Sequence, residues 1–367
     1  MNILIQFKNN PLFFTHPHAL IVCCRPADIE DAFEKMEYWL SKGFYVAGFV
    51  SYEAGYCLEK CLVSKEDYDF PLICVGAYHA PEPSRLSTCK KDFMLRNARL
   101  SCSFRDYAQH IQRIREYIQK GDVYQITYCL KLFCDISGSV NSFYGHLLQE
   151  HPVPYAAYLE HDPWKILSFS PERFIRKKGS RILAEPMKGT WPRGSNFFSD
   201  VLARFHLKYD IKNRAENVMI ADLLRNDLGR IASHIRAPKL FTVARYNTLF
   251  QMTSTVTGRV NPQKTIRDIF SALFPSGSVT GAPKIRAMQI IQGLEPFERK
   301  IYTGAIGYIT PNRDCYFNIP IRTILIENSK AEMGIGGGIV WDSTAEGEWN
   351  EGMLKARFLM KHVRKDL

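Results

Sequence analysis

The chain has 367 residues, of which 46% are hydrophobic, and carries a formal net charge of +11. This length can bury a large core in one big domain or two, and no apolar run reaches the roughly 18 residues of a membrane span. Basic residues are scattered apart from a cluster at residues 176–181, so the charge fits an anionic small substrate or an acidic protein as well as nucleic acid. Charge alone leaves these classes open; for the whole chain we expect neither nucleic acid nor a membrane as partner.

The ten cysteines bear on compartment and metal content. They lack paired C-x-x-C spacing with matching histidines, so the cysteine pattern predicts no zinc site; Cys57 and Cys61 are the closest approach to one. The chain shows no basic segment followed by a long apolar stretch, and we expect a reduced, cytoplasmic protein.

The first part of the chain mixes short strand patterns with one helix. Helical spacing of apolar residues predicts a helix over residues 28–42, followed by a strand over 44–51. Prolines within residues 81–84 indicate a boundary. We therefore predict an N-terminal subdomain, residues 1–95, and a catalytic domain, residues 100–362.

The middle of the chain begins with a helix at residues 103–120, where Ser103 and Asp106 form a capping-box pattern. Alternating apolar residues then predict strands, and the basic cluster reads as an exposed hairpin turn between two of them. The predicted strands are residues 123–130, 155–159, 166–169, 173–176 and 181–184.

The last of these strands leads to Lys188. Because Pro186 cannot donate to a sheet ladder, we predict that Lys188 lies in a loop. Gly189 allows close backbone approach to a ligand and Thr190 adds a hydroxyl. Taken alone, a lysine in such a loop is most simply a solvated side chain.

Residues 210–227 predict a charged helix, for which a solvated face is the simpler interpretation. Residues 275–284 form a glycine and hydroxyl loop that opens a further helix, without the spacing of a Walker A loop. With Pro283 in the first helical turn, the amides of Gly281 and Ala282 are predicted to form an anion site.

Strands are predicted at residues 302–309 and 316–326, the second carrying Arg322. The glycine-rich run at 334–340 continues as a strand, so it is not a dinucleotide fingerprint. A final helix, residues 346–362, places two glutamates and a lysine on one face, either as an ion-pair ladder or as a site for a divalent metal and a carboxylate substrate. Those three residues are Glu348, Glu351 and Lys355.

Eight short motifs occur in an order that resembles the chorismate-utilising enzymes, a family that includes anthranilate, aminodeoxychorismate, isochorismate and salicylate synthases. The resemblance covers residues 100–362, and residues 1–95 resemble the family's N-terminal part less specifically. The motifs are Gly121-Asp122-Val123-Tyr124-Gln125, Ser170-Pro171-Glu172, Pro186-Met187-Lys188-Gly189-Thr190, Ala215-Glu216-Asn217, residues 222–227, Gly281-Ala282-Pro283-Lys284, Tyr302-Thr303-Gly304-Ala305 and residues 336–340.

The resemblance implies an α+β fold, a large sandwich of two antiparallel sheets with helices outside. It implies a Mg²⁺ site at Glu216 and Glu351, with Glu348 nearby, and Glu172 as the acid that protonates the departing 4-hydroxyl of chorismate. The implied substrate contacts are Gln125, Thr190, Gly281, Tyr302, Arg322, Gly336, Gly337, Gly338 and Lys355.

Two positions distinguish the subfamilies, and a third departs from the family pattern. Gln125 stands where members that add water have a lysine base, and since an amide cannot accept that proton, isochorismate and salicylate synthesis are disfavoured. Lys188 stands where anthranilate synthases typically have alanine, whereas aminodeoxychorismate synthases resemble this chain in having a lysine, described as a nucleophile at C2. Gln251 stands where many relatives have histidine, which weakens the lyase chemistry that anthranilate formation needs.

The resemblance therefore predicts component I of aminodeoxychorismate synthase, which forms 4-amino-4-deoxychorismate for para-aminobenzoate and folate through a covalent intermediate on Lys188. A separate glutamine amidotransferase subunit is expected to supply ammonia, because the chain lacks the Cys-His signature of that activity. Anthranilate synthase component I and a non-catalytic basic scaffold remain alternatives.

Overall fold

The computed structural model describes residues 1–8, 10–83, 93–245 and 249–364. The helices, in chain order, are α1 (Ile29–Ser41), α2 (Ala54–Leu58), α3 (Phe104–Gln119), α4 (Val140–Glu150), α5 (Phe197–Tyr209), α6 (Ile211–Gly229), α7 (Ile266–Leu273), α8 (Lys284–Leu294) and α9 (Ala345–Met360). The strands are β1 (Asn2–Phe7), β2 (Asn10–Phe14), β3 (Ala19–Cys23), β4 (Tyr45–Val50), β5 (Ile73–Tyr78), β6 (Glu82–Pro83), β7 (Phe93–Leu100), β8 (Gln125–Gly138), β9 (Tyr155–His161), β10 (Trp164–Ser170), β11 (Arg173–Lys178), β12 (Arg181–Glu185), β13 (Met187–Pro192), β14 (Ala232–Arg245), β15 (Leu249–Val260), β16 (Gly281–Ala282), β17 (Ala305–Ile309), β18 (Cys315–Asn318), β19 (Thr323–Glu327) and β20 (Lys330–Ile339).

These strands form two ten-stranded sheets. The first has the order β16-β8-β20-β19-β10-β9-β1-β2-β6, with β7 also paired to β8. The second has the order β13-β15-β12-β11-β18-β17-β4-β5-β3, with β14 also paired to β15. Neighbouring strands in both sheets are antiparallel.

Apolar side chains between the sheets make the structure a sandwich. Ile5 of β1, Leu159 of β9 and Phe49 of β4 are fully buried in one cluster to which both sheets contribute. A second cluster lies between the second sheet and α1, α6 and α7, and a third lies between the first sheet and α3, α4, α8 and α9. The predicted α+β class, with two antiparallel sheets and outer helices, is confirmed.

The N-terminal strands complete both sheets. β1 pairs with β9 in the first sheet, and β4 pairs with β17 in the second. Residues 1–95 and 100–362 therefore share both sheets, and the proposed division between them stays a prediction.

The capped helices lie where the sequence predicts them. Ser103 Oγ accepts a hydrogen bond from the Asp106 amide at 3.2 Å, and the Asp106 carboxylate accepts one from the Ser103 amide at 3.3 Å, which completes the predicted capping box of α3. Gly179 has a φ of +55° and, with Ser180, joins β11 to β12, so the predicted hairpin turn is confirmed.

No helix among the described residues is long and apolar enough to cross a membrane.

Two predicted strands are wrong in extent. The strand predicted at 302–309 begins at residue 305, because the chain turns through Thr303 at a φ of +62°. The strand predicted at 316–326 is two strands, β18 and β19. Pro320 has no N–H to donate and Arg322 has a φ of +50°, so the ladder cannot run through them.

A buried ion pair links two of the motifs. Lys284 Nζ lies 2.6 Å from an Asp227 carboxylate oxygen, with side chains 12% and 9% exposed, and also 3.3 Å from the Leu273 carbonyl. Removing either charge would leave the other buried without its counter-charge. By contrast, the Asp222–Arg225 pair is exposed, so the solvated-face interpretation holds for that part of α6 only.

Candidate active site

Lys188 lies on a strand, so its predicted position in a loop is wrong. Pro186 does interrupt the ladder between β12 and β13, since it lacks an N–H. Its carbonyl nevertheless accepts a hydrogen bond from the Ser254 amide at 3.3 Å, and the chain resumes pairing with β15 at Met187. Pairing with a segment some 65 residues away along the chain, at residues 249–253, therefore holds the lysine in place.

A bulge at Lys188 and Gly189 alters the local direction of β13. Between Met187 and Thr190, β13 contains one residue more than the facing part of β15. Gly189 has a φ of +90°, and a Cβ at this position would lie 2.9 Å from Asn213 Oδ1 on α6. Glycine is thus required here both by the backbone conformation and by the close approach of α6.

Glu172 lies in the turn between β10 and β11 and is only 4% exposed. Its Oε1 accepts hydrogen bonds from Ser278 Oγ at 2.7 Å and from the Met187 amide at 3.4 Å. Burial raises the pKa of Glu172 to about 7, against the opposing effects of these bonds and of Lys188. The carboxyl group is therefore substantially protonated at neutral pH and can act as an acid.

The electrostatic environment of Lys188 favours a neutral amine. Burial lowers the pKa of Lys188, and the nearby charge of Lys355 lowers it further, while Glu216, Glu172 and Glu351 raise it. The effect of burial prevails over that of the three carboxylates. A lysine of lowered pKa beside an acid of raised pKa is the combination that a nucleophilic amine and a proton donor require.

The glycine-rich part of β20 brings the predicted site residues together. A Cβ on any of its three consecutive glycines would lie within 4 Å of functional side chains from other segments. These atoms are Cys129 Sγ (2.6 Å) and Tyr302 Oη (3.1 Å) at Gly336, Glu348 Oε2 (3.1 Å) and Lys355 Nζ (3.9 Å) at Gly337, and Gln125 Nε2 (2.7 Å) and Lys188 Nζ (3.0 Å) at Gly338. The missing side chains thus leave room for polar groups from β8, β13 and α9.

Gln125 is fully buried, and neither its Oε1 nor its Nε2 has a hydrogen-bond partner in the described part of the chain. An unpaired buried amide is costly. Its position beside Lys188 and Gly338 suits it to bind a polar ligand that enters there.

The unpaired amide predicts that a substitution at Gln125 stabilises the ligand-free chain. Gln125→Leu removes the unpaired amide with little change in volume. We expect the free energy of unfolding, measured by urea denaturation without ligand, to rise by about 1–3 kcal/mol. Gln292→Leu is the control, since Gln292 donates to the Val63 carbonyl and its loss should bring no gain. A less stable Gln125→Leu chain would show that the amide already has a partner in solution.

Carboxylates from two helices meet near this strand. Glu216 on α6 and Glu348 on α9 have pKa values raised by burial and by the charge of Glu351. The pKa of Glu351 itself is lowered, chiefly by Lys355, whose Nζ lies 2.8 Å from it and 2.7 Å from the Gly336 carbonyl. Lys212 on α6 further favours the ionised form of all three glutamates. The Glu351–Lys355 contact is the ion pair that the predicted ladder requires, and the metal site stays a prediction.

The donor chemistry of these glutamates fits Mg²⁺, which prefers carboxylate oxygens. In residues 1–8, 10–83, 93–245 and 249–364 the three glutamates do not form one compact set of ligand atoms within 4.8 Å of one another. Mg²⁺ commonly uses one or two protein carboxylates and completes its shell with water and substrate, so a compact set is not required.

Two predicted substrate contacts lie at the edge of this arrangement. Thr190 is exposed and stands opposite Gln251 on β15. Gly281 and Ala282 form β16, which pairs with β8. Pro283 is the N-cap residue of α8, which begins at Lys284, so its predicted position in the first helical turn is wrong. A Cβ on Gly281 would lie 2.2 Å from the Gln125 carbonyl oxygen, so glycine is needed for this pairing.

Tyr302 packs against β20, whereas Arg322 lies in the turn before β19. Tyr302 is buried against Gly334 and Gly336, which raises the pKa of its hydroxyl. Arg322 lies in the turn before β19, where its carbonyl accepts a bond from the Phe169 amide at 3.1 Å, and its charge acts on the pKa of His151. Its role as a substrate contact stays a prediction.

Sequence reasoning assigned no role to several residues that position the site. Ser278 donates to Glu172, Ser343 Oγ donates to Glu348 at 2.6 Å, and Lys212 faces the glutamates. Ser278 lies within the glycine and hydroxyl loop, so its motif was visible although its partner was not. Ser343 and Lys212 have no such signal, because their partners are defined only by the packing of helices and sheets.

The buried state of Glu172 predicts a pH dependence of stability. An acid with a higher pKa in the folded chain binds its proton more tightly there, so its stabilising contribution is full below pH 4.5 and is lost as the pH rises through about 7. Between pH 4.5 and 8 we expect the wild-type chain to lose about 3 kcal/mol of unfolding free energy relative to Glu172→Gln. Urea denaturation of both chains at several pH values measures this; parallel pH profiles would contradict the raised pKa.

Comparisons with known proteins identify the family of this chain. Residues 24–361 match the family described as chorismate binding enzyme. Aminodeoxychorismate synthase component 1 of Escherichia coli K12 is 36% identical over 294 residues, covering 79% of this chain and 65% of that protein. Anthranilate synthase component 1 of Lactococcus lactis is 37% identical over 257 residues, covering 70% of this chain and 56% of that protein.

A solved structure shows the same fold. The crystal structure of anthranilate synthase component I from Streptococcus pneumoniae TIGR4 matches with a TM-score of 0.82 and 24% identity, covering 97% of this chain and 92% of that one. The chain therefore spans only 65% of the length of the Escherichia coli relative and 56% of the length of the Lactococcus lactis relative. From the family match over residues 24–361, the order of the motifs and the two-sheet fold, the chain belongs to the chorismate-binding enzyme family.

Proposed function

We propose that the chain is component I of an aminodeoxychorismate synthase, which converts chorismate and ammonia to 4-amino-4-deoxychorismate for para-aminobenzoate and folate synthesis. The observation that carries this proposal is Lys188, which the β13 bulge holds with its Nζ next to Gly338 and Gln125 and within electrostatic range of Glu172, an acid of raised pKa. The name of the Escherichia coli relative supports the same reaction.

In the proposed reaction the neutral amine of Lys188 attacks C2 of chorismate, and both ring double bonds shift as the C4–O bond breaks. Glu172 donates its proton to the 4-hydroxyl, which departs as water. Ammonia then bonds to C4, both double bonds shift back, and the C2–N bond to Lys188 breaks to release the amine. Glu172, now ionised, accepts the proton that the incoming ammonia loses.

Two sets of groups would hold the substrate. Glu216, Glu348 and Glu351 would hold Mg²⁺, which when bound supplies positive charge against a substrate carboxylate. Lys355, whose Nζ lies beside Gly336 and Gly337, and the Tyr302 hydroxyl would contact the carboxylates directly.

Arg322 is proposed to bind a substrate carboxylate through its planar guanidinium group. Arg322→Lys retains the charge but loses the two parallel donors. We expect chorismate binding to weaken by about 1.5–3 kcal/mol, seen as a higher Michaelis constant. An unchanged Michaelis constant would instead identify Arg322 as a residue that only supports the turn before β19.

The chain is also proposed to take its ammonia from a glutamine amidotransferase subunit. The relative from Escherichia coli is named component 1 of its synthase, which implies a second component. With ammonium salts the chain alone should react, whereas with glutamine it should need that partner.

The test is to incubate the pure chain with chorismate, Mg²⁺ and ammonium, and to identify the product by mass. We expect a non-aromatic product that becomes 4-aminobenzoate only when a separate lyase is added. Because anthranilate synthases are also among the relatives, fluorescent anthranilate with release of pyruvate is the outcome that would overturn the proposal in favour of that activity. A scaffold protein would consume no chorismate.

A further inference from the structure

A cluster of metal-ligating side chains lies outside the active site, where the ends of two helices meet. His146 and Glu150 are one turn apart at the end of α4, and His362 lies in the turn that follows α9. Among the described residues, these three form the group of histidine, cysteine or carboxylate side chains whose ligand atoms all lie within 4.8 Å of one another.

The spacing of these atoms is close to that around a bound transition metal. His146 Nε2 lies 3.3 Å from Glu150 Oε1, and His362 Nε2 lies 3.1 Å from Glu150 Oε2. Ligands at about 2.0–2.2 Å from a zinc ion in tetrahedral geometry are separated by roughly 3.3–3.6 Å. Shifts of a few tenths of an ångström for these two pairs would therefore accommodate an ion.

Packing holds the histidines in place before any ion binds. The His362 side chain is only 5% exposed, and its ring centroid lies 5.2 Å from that of His146. The chain after it is tied to β7, since the Arg364 amide donates to the Leu95 carbonyl at 2.9 Å. The Phe93 ring lies 5.4 Å from His146 and 6.3 Å from His362. Such preorganisation reduces the entropy lost on binding.

A positive charge already occupies part of this site. Lys361 Nζ lies 2.7 Å from Glu150 Oε2 and 2.9 Å from His151 Nε2. An ammonium group is thus held by the same carboxylate that would bind the metal, so Lys361 competes with it. If the lysine turns away, His151 offers a fourth donor, since its Nε2 lies 3.9 Å from Glu150 Oε2.

We propose that His146, Glu150 and His362 form a binding site for a divalent transition metal of the class that prefers imidazole ligands, such as Zn²⁺. The bound ion would join the end of α4 to the end of α9. Because α9 also carries Glu348 and Glu351, the ion would act as a clamp on the helix that supplies the acidic groups of the active site.

The test measures Zn²⁺ binding to the full chain by equilibrium dialysis and its effect on the melting temperature. All measurements are repeated in a Glu351→Gln background, which weakens metal binding at the acidic cluster. We expect one Zn²⁺ to bind and to raise the melting temperature in both backgrounds. His146→Gln should weaken binding at least 10-fold, His79→Gln, an exposed control, should not, and Lys361→Met should tighten binding.

The identity of the ligands is tested with Co²⁺ in place of Zn²⁺. Bands typical of nitrogen and oxygen ligands that disappear in His146→Gln would support the site. A thiolate-to-metal band that persists in His146→Gln would show that cysteines bind the ion and would overturn the proposal. Equal Zn²⁺ affinity in wild type and His146→Gln, or no effect of Lys361→Met, would overturn it as well.

Discussion

Lys188→Ala is expected to abolish the formation of 4-amino-4-deoxychorismate. The half-buried amine is the proposed nucleophile at C2, and its Nζ lies 3.0 Å from the point where a Cβ on Gly338 would stand, with Gln125 Nε2 2.7 Å from the same point. Acid quenching of the wild-type reaction followed by peptide mass analysis should show a chorismate-derived mass on the peptide that contains Lys188. That mass should be missing in Lys188→Ala.

The control for this experiment is Lys178→Ala, since Lys178 is an exposed lysine on the neighbouring hairpin. It should retain both the activity and the adduct. If Lys188 only stands near the reaction, ammonia can add at C2 and pyruvate can leave. Anthranilate fluorescence and pyruvate release from the wild-type chain alone would therefore contradict the proposed chemistry, whatever the mass analysis shows.

Glu351→Gln should also cause a large loss of activity, because it weakens the binding of metal and substrate. The substitution removes one negative charge from the cluster with Glu216 and Glu348 while keeping the side-chain shape. We expect kcat/KM to fall at least about 100-fold and the Mg²⁺ concentration needed for half-maximal activity to rise. Circular dichroism and the melting temperature should show an intact fold.

Glu346→Gln provides the matched control, because Glu346 lies on the same helix and is exposed. It should leave the Mg²⁺ dependence unchanged. Near-normal turnover of Glu351→Gln at saturating Mg²⁺ would rule out Glu351 as a metal ligand. In that case its 2.8 Å ion pair with Lys355 would be its main role.

Sequence patterns predicted the elements whose signals are local. The capping box of α3 depends on Ser103 and Asp106, three residues apart, and the Gly179-Ser180 turn joins adjacent strands, so both were visible without the fold. The family resemblance also identified most of the residues that meet at the glycines of β20, with Cys129 as the exception. Local signals failed where one predicted strand proved to be two, since a proline and a left-handed residue outweighed the apolar pattern of residues 316–326.

Other features depend on contacts between distant segments. The sequence could not show that Gln125 is buried without a hydrogen-bond partner among the described residues, or that Ser278 donates to Glu172 across 106 positions. The sequence did not single out His146 and Glu150 as metal ligands, because only the packing of α9 brings His362 close to them.

The sequence by itself determined the family resemblance, the fold class and the chemical types of the candidate site residues, because these follow from side-chain identity and short-range periodicity. The tertiary structure alone decided that Lys188 lies on a bulged strand, and that burial moves the pKa values of Lys188 and Glu172 in opposite directions. The physical reason is that desolvation and charge interactions depend on distances in space, and those distances are set by strand pairing and helix packing between remote parts of the chain.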